Sequence, residues 1–317
     1  MRSIPRKGWN SPYLLLTLAT LFWGGNAVAG RFLAASVPPF TLSLIRLLLS
    51  TIVILPFTYP ILLKEWGAAK RQLSLILLLA VTGVVGFNLL AYWAAHYTTA
   101  VNIALLNSTS PLFMFILAYL FIRERLTFRL FLSILVSLAG ILWVMTEGSL
   151  RRLLDLQFNL GDLIMLLAVL LWSIYSIYVK KVSSGLSPMA VFAYSSILGV
   201  LIMIPASMIE LSFSRIQHIG MPEMIGIAYV SIFPSICLFL AWNRAIVLVG
   251  PSRCSIFSNA IPIWAAILAF LVISETITGA HVAGGLLVFI GILLSRAKSR
   301  EGLQVPAVPA SGINRYE

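Results

Sequence analysis

Arg46 lies in a stretch, Val37 to Tyr59, that holds no other charged residue. A guanidinium inside an apolar run is costly unless it faces a protein interior or a watery cavity, so a functional role is its default reading. It is suited to holding the carboxylate of a small ligand, or to capping carbonyls within a helix bundle. Pro111 and Pro262 carry a second argument. A proline within a helix leaves the carbonyl four residues earlier without its donor. Those carbonyls belong to Asn107 and Ser258, and the adjoining side chains are polar in both places, Asn107-Ser108 and Ser258-Asn259. Freed backbone groups beside Asn and Ser suit a polar binding site, with helix–helix hydrogen bonding as the alternative. A third set is aromatic: Trp23, Tyr92, Trp93, Trp172, Tyr175, Tyr178 and Trp242, which either stack a ligand or pack a core. Asn26, Asn88 and Asn243 complete the candidates.

Other chemistry is poorly supplied. The ten acidic residues all lie outside the middles of the apolar runs, which weakens a proton-relay reading. His96 falls at a polar interruption and reads as a loop histidine. Glu124 and Glu275 sit at the ends of runs, where salt-bridging or capping is the favoured role. No His-Glu metal motif, Gly-x-Ser-x-Gly elbow or pair of deep carboxylates occurs, so neither a catalytic residue, a metal nor a cofactor is expected. Cys237 and Cys254 fall in apolar surroundings and read as small buried residues.

The elements that must position these residues follow from composition. Of 317 residues, 60% are hydrophobic and 10% charged, against about 25% charged in soluble domains. A net charge of +12 would suggest nucleic acid in a soluble chain. Here the basic residues form short clusters between long apolar runs, so no nucleic-acid partner is expected and the lipid bilayer is. Crossing hydrocarbon takes about 20 apolar residues. Ten such spans can be laid along the chain, near 11–30, 37–59, 72–94, 98–120, 128–146, 161–179, 188–208, 223–244, 252–273 and 278–296. Short loops leave no room for a separate soluble domain.

Lysines and arginines set the orientation. With the N-terminus inside, 17 of the 22 face the cytoplasm, four (Arg31, Arg151, Arg152 and Arg215) face outward, and Arg46 stays within a span. Both termini are therefore expected in the cytoplasm and the protein in the cell (inner) membrane. Ala27-Val28-Ala29 after the basic start resembles a signal-peptide cleavage site. Its span has a counterpart in mid-chain, which argues against removal.

That counterpart belongs to a repeat. At an offset of 149, Trp23 meets Trp172, Pro39 meets Pro188 and Pro56 meets Pro205. At 151, Pro111 meets Pro262, Glu124 meets Glu275 and Gly140 meets Gly291. The chain is read as an N-terminal segment 1–10, a five-span copy 11–147, an extracytoplasmic linker 148–160, a second copy 161–296 and a dispensable, disordered tail 297–317. Five is odd, so the copies must be inverted. The Arg123-Glu124-Arg125 turn becomes Ser274-Glu275-Thr276 in the other copy, as opposite sidedness requires. Inverted repeats are the hallmark of secondary transporters, with the substrate near the midplane where the copies meet.

The segments Ala95-His96-Tyr97-Thr98-Thr99-Ala100, Ser110-Pro111-Leu112-Phe113 and Arg123-Glu124-Arg125-Leu126 resemble the end of an EamA domain. The second copy echoes them in Val249-Gly250-Pro251-Ser252, Ile261-Pro262-Ile263-Trp264 and Ser274-Glu275-Thr276-Ile277. Phe22-Trp23-Gly24-Gly25-Asn26 and Arg46 also fit. The resemblance covers residues 11–296 and implies the drug/metabolite transporter superfamily: an all-α integral membrane protein of ten helices in two inverted five-helix repeats. It further implies an exporter of amino acids or related small compounds. Multidrug or cation efflux, uptake or exchange, and lipid flipping are the alternatives. A monomer would suffice, and a homodimer is also compatible.

Overall fold

The computed structural model describes residues 11–33, 36–94, 97, 106–123, 127–146, 148–149, 151, 159–217, 219–264, 267–268 and 279–296. His96, Glu124, Glu275, the N-terminal segment and the tail lie outside them. Among the described residues every regular element is helical. They are α1 (Pro12–Leu33), α2 (Pro39–Arg71), α3 (Leu73–Leu79, a π-helical Ala80–Gly86, then Phe87–Ala94), α4 (Ser110–Ile122) and α5 (Phe128–Met145). The second half supplies α6 (Leu160–Val182), α7 (Pro188–Leu211), α8 (Met221–Val249, with a π-helical Phe233–Cys237), α9 (Pro251–Phe257, then a 3-10 turn Ser258–Ala260) and α10 (Gly279–Arg296). Each expected span overlaps one of these helices, those at 98–120 and 252–273 being described only in part.

Local chemistry sets the starts. Pro39 and Pro188 occupy first helical positions, where a missing N–H costs nothing. Asn159 and Asp162 form a capping box at α6, with bonds of 3.2 and 2.8 Å. Two ends differ from expectation. α2 runs on past Tyr59 to Arg71, because the charged stretch after Pro60 contains good helix formers and Leu62 and Ala69 are buried against the bundle. At about 1.5 Å per residue its 33 residues outreach a hydrocarbon core of about 30 Å. α8 runs on past Arg244 to Val249, where Gly250 at φ 85° supplies the left-handed turn that ends it.

The packing follows the repeat. α2 lies against α7, α4 against α9 and α5 against α10; α1 packs on α8 as its counterpart α6 packs on α3. α2 and α7 are antiparallel, since the end of each meets the start of the other. The α5–α10 seam is the tightest: a Cβ on Gly140 would stand 2.7 Å from the Gly284 carbonyl oxygen, and one on Gly291 would stand 2.8 Å from that of Ser133. Small residues let backbones approach this closely where lipid gives no hydrophobic drive. Outward faces carry Leu48, Ile52 and Phe57 on α2, Ile116, Tyr119 and Leu120 on α4, and Leu201 and Met208 on α7, an apolar coat for hydrocarbon. The interior centres on Trp172, Trp242, Tyr175 and Phe192.

Candidate substrate pocket

One pocket lies between the two copies. α1 contributes Trp23 and Asn26, α2 contributes Arg46, α3 contributes Phe87 and Asn88, α6 contributes Trp172, and α8 contributes Pro234, Leu238 and Phe239. It is small, with about 10 Å³ free, room for roughly one water.

Repeat-related positions build it. Trp23 and Trp172 meet edge to face with ring centroids 4.8 Å apart and planes at 70°. Phe87, Trp242, Tyr175 and Phe239 ring them at 5.2–5.8 Å. The π-helical segments of α3 and α8 also coincide: at the 151-residue offset Gly86 matches Cys237, Phe87 matches Leu238 and Asn88 matches Phe239. A π segment widens the helix and leaves main-chain groups loosely paired. Asn88 answers this on α3, its Nδ2 donating to the carbonyls of Val84 (3.1 Å) and Gly83 (3.4 Å). On α8 the Ser235 hydroxyl donates to the Val230 carbonyl at 2.7 Å.

Arg46 is 2% exposed, and no hydrogen bond or ion pair holds its guanidinium among the described residues. Its Nε is buried without an acceptor; so is Trp172 Nε1 without an acceptor and Asn26 Oδ1 without a donor. A buried charge lacking a partner costs several kcal/mol, about, unless something else neutralises it. The pocket therefore presents one cation, unused donors and one unused acceptor above an aromatic floor. Such a set is chemically suited to a carboxylate at the guanidinium fork and a flat or aliphatic body against the rings.

Of the residues singled out in the sequence, Trp23, Asn26, Arg46, Asn88 and Trp172 come together in the pocket. Tyr175 and Asn243 lie one helical turn beyond Trp172 and Phe239, joined by a 2.9 Å bond from the tyrosine hydroxyl to Asn243 Oδ1. Trp242 is tied to Ser176 at 3.2 Å. Both prolines sit where their helices break, Pro111 after the Ser108-Thr109 turn and Pro262 after the 3-10 turn. The polar residues beside them do not line the pocket. Asn107 is half-buried, Ser108 and Ser258 are buried, and Asn259 Nδ2 donates to Ser137 on α5 at 2.9 Å. Trp93 is 46% exposed, and the side chain of Tyr92 lies outside the described residues. Phe87, Pro234, Leu238 and Phe239 were not anticipated; Gly83, Gly86 and Pro234, irregular residues at matched places in two apolar spans, were the available signal.

A family model, the EamA-like transporter family, matches residues 10–146 and again residues 159–297. The chain belongs to that family. Among relatives of this EamA transporter is YyaM of Bacillus subtilis (strain 168), described as an uncharacterized transporter, 28% identical over 284 residues that cover 89% of this chain and 92% of YyaM. An uncharacterized transporter of Archaeoglobus fulgidus is 24% identical over 291 residues, covering 91% and 98%. A crystal structure 18% identical in sequence superposes with a TM-score of 0.74 over 90% of this chain and 96% of its own, a likeness of fold. The EamA protein is thus a multi-pass membrane transporter of all-α fold, two inverted five-helix repeats facing each other across the pocket.

Proposed function

We propose that the protein exports amino acids or related small organic carboxylates across the cell (inner) membrane by alternating access, with both termini in the cytoplasm. The observation that carries this reading is Arg46, buried in a pocket between the repeats with its guanidinium Nε lacking an acceptor among the described residues. A carboxylate entering there gains the full strength of a charge-assisted bond and relieves the buried cation. A cationic drug would instead meet a like charge at short range, which disfavours multidrug cation efflux. With a single basic side chain, the pocket favours one carboxylate over a phosphorylated or multiply charged anion. Asn26 Oδ1 and the tryptophan faces offer an acceptor and a cation–π surface for an ammonium group on the same molecule.

The test is mass spectrometry of spent medium from cells overproducing the protein, beside Arg46→Ala at matched membrane abundance. Accumulation of carboxylate-bearing metabolites with the unaltered protein alone is the expected result. Media indistinguishable from those of cells lacking the protein would overturn export.

A further inference from the structure

Two buried or half-buried carboxylates lie away from the pocket, one at each end of the α2–α7 pair. Glu210, on the last turn of α7, accepts from the main-chain N–H of Phe40 at 3.0 Å, the N–H of Thr41 at 2.7 Å and the Thr41 hydroxyl at 2.8 Å. Glu65, near the end of α2, accepts from the N–H of Ser187, the residue that starts α7, at 2.8 Å. Each helix of the pair thus ends in a glutamate that caps the start of the other.

Sequence makes the first cap necessary. α2 begins with Pro38 and Pro39, which have no N–H, and no side chain of its own caps it. Phe40 and Thr41 then carry the first donors in need of acceptors, and among the described residues the oxygens that meet them are those of Glu210. Negative charge at a helix start is favoured by the helix dipole as well. α7 covers its own start in part, the Ser187 hydroxyl accepting from Ala190 N–H at 3.3 Å, so its need for Glu65 is smaller.

We propose that Glu210 and Glu65 are reciprocal latches of the transport cycle, each made when its end of the carrier is closed and broken when that end opens. This rests on the reading of the protein as an alternating-access carrier. Both latches are made in this structure, and the pocket between the ends has room for about one water. Glu210 also acts as a positioning residue. Arg46 follows Thr41 by five residues, little more than one turn along α2, so the latch sets the register at which the guanidinium enters the pocket. The two ends are unequal. Glu210 is 6% exposed and makes three bonds, with a further main-chain bond from Gln217 to Ser36 at 2.9 Å beside it. At the other end Glu65 makes one, joined by the Tyr194 hydroxyl donating to the Leu62 carbonyl at 2.7 Å. The weaker latch opens first, and it lies at the end carrying Lys64, Lys70 and Arg71, the end at which an exporter must load.

The experiment needs no cargo. A cysteine introduced in the pocket wall by Leu238→Cys, with Cys237→Ala and Cys254→Ala, is labelled by a charged, membrane-impermeant maleimide in whole cells and in inside-out vesicles. Glu210→Gln should raise the labelling rate from one face roughly tenfold, the change expected for one lost charge-assisted bond in an opening equilibrium. Glu65→Gln should raise it from the opposite face by a smaller factor. If Glu210→Gln fails to reach the membrane, Thr41→Val removes one of the three bonds and should act on the same face. Equal effects on both faces, or none, would overturn the proposal. Sided labelling together with unchanged spent medium would refute export and leave the latches standing.

Discussion

Trp23 and Trp172 occupy the same place in the two copies, and their rings touch across the interface of the repeats, 4.8 Å between centroids. The symmetry of the chain is therefore written into a single contact on the pocket floor. Trp172 is the more enclosed of the pair, 1% exposed and in ring contact with Trp23, Phe87, Tyr175, Phe239 and Trp242.

Replacing Trp172 by Ala should cost about 3–5 kcal/mol, the usual range for deleting a large buried ring. Trp172→Phe, which keeps most ring contacts and removes an indole N–H that has no acceptor, should cost much less. Thermal melting of both variants in one detergent, followed by intrinsic fluorescence, checks the order; equal losses would contradict it.

Arg46 is expected to trade stability for function. Arg46→Met, apolar and of similar length, should leave the fold as stable or stabilise it by about 1–4 kcal/mol, because an unpaired buried charge disappears. Transport should be lost. Arg46→Lys keeps the charge and loses the planar fork, so it should bind a carboxylate more weakly without abolishing turnover. Melting curves read beside efflux of a candidate carboxylate test both; a large loss of stability in Arg46→Met would assign the residue to the scaffold.

Gly140 and Gly67 should respond in opposite ways. A Cβ at Gly140 would stand 2.8 Å from both Leu287 Cβ and Val288 N across the α5–α10 seam. Gly140→Val should force the helices apart and lower membrane abundance sharply. Gly67 sits within α2 with nothing within 4 Å of the place a Cβ would take. Gly67→Ala should stabilise by about 0.5–1 kcal/mol through helix propensity and a less flexible unfolded chain. A chemical-denaturation series in mixed micelles compares the pair.

Asn88 should matter to the shape of the pocket. Asn88→Ala removes the donor that serves the Gly83 and Val84 carbonyls next to the π segment. With those groups left wanting, α3 should regain ordinary helical pairing and rotate Phe87 off the pocket wall. Hydrogen exchange at residues 82–88 would report this as faster or redistributed protection; an unchanged pattern would show that the π segment is held by its packing alone.

Much of the fold was legible because its signals are coarse and repeated. Apolar runs of spanning length, and Trp, Pro and Gly recurring at offsets of 149 and 151, located ten helices and their repeat before any contact was known. Arg46, Trp23 and Trp172 stood out for an equally simple reason: they are costly or unusual in mid-span. The helix ends were less legible, since Lys64 to Arg71 reads as a loop by charge and folds as helix by propensity and by burial of Ala69. The π segments left only scattered Gly and Pro. Asn259 illustrates the remaining limit, for its sequence context is the same whether its amide turns to a ligand or, as here, to Ser137. Glu210 was read as a residue beyond a span's end, and its partners lie 169 and 170 residues away, a separation no local pattern announces.

The duplicated halves are not equivalent where it counts. At the 149-residue offset Arg46 corresponds to Ser195, whose hydroxyl turns back to the Val191 carbonyl at 2.7 Å, and Asn26 corresponds to Tyr175. Two guanidiniums facing one another in so small a space would repel, and a cargo between them would have no reason to prefer either side. With one, the cavity has a head and a tail. On the carboxylate reading proposed above, a molecule held at its acid end would stay with the same helix whichever way the carrier faced, so it would cross without tumbling, and discrimination among cargoes would fall to whatever the other half presents to its far end.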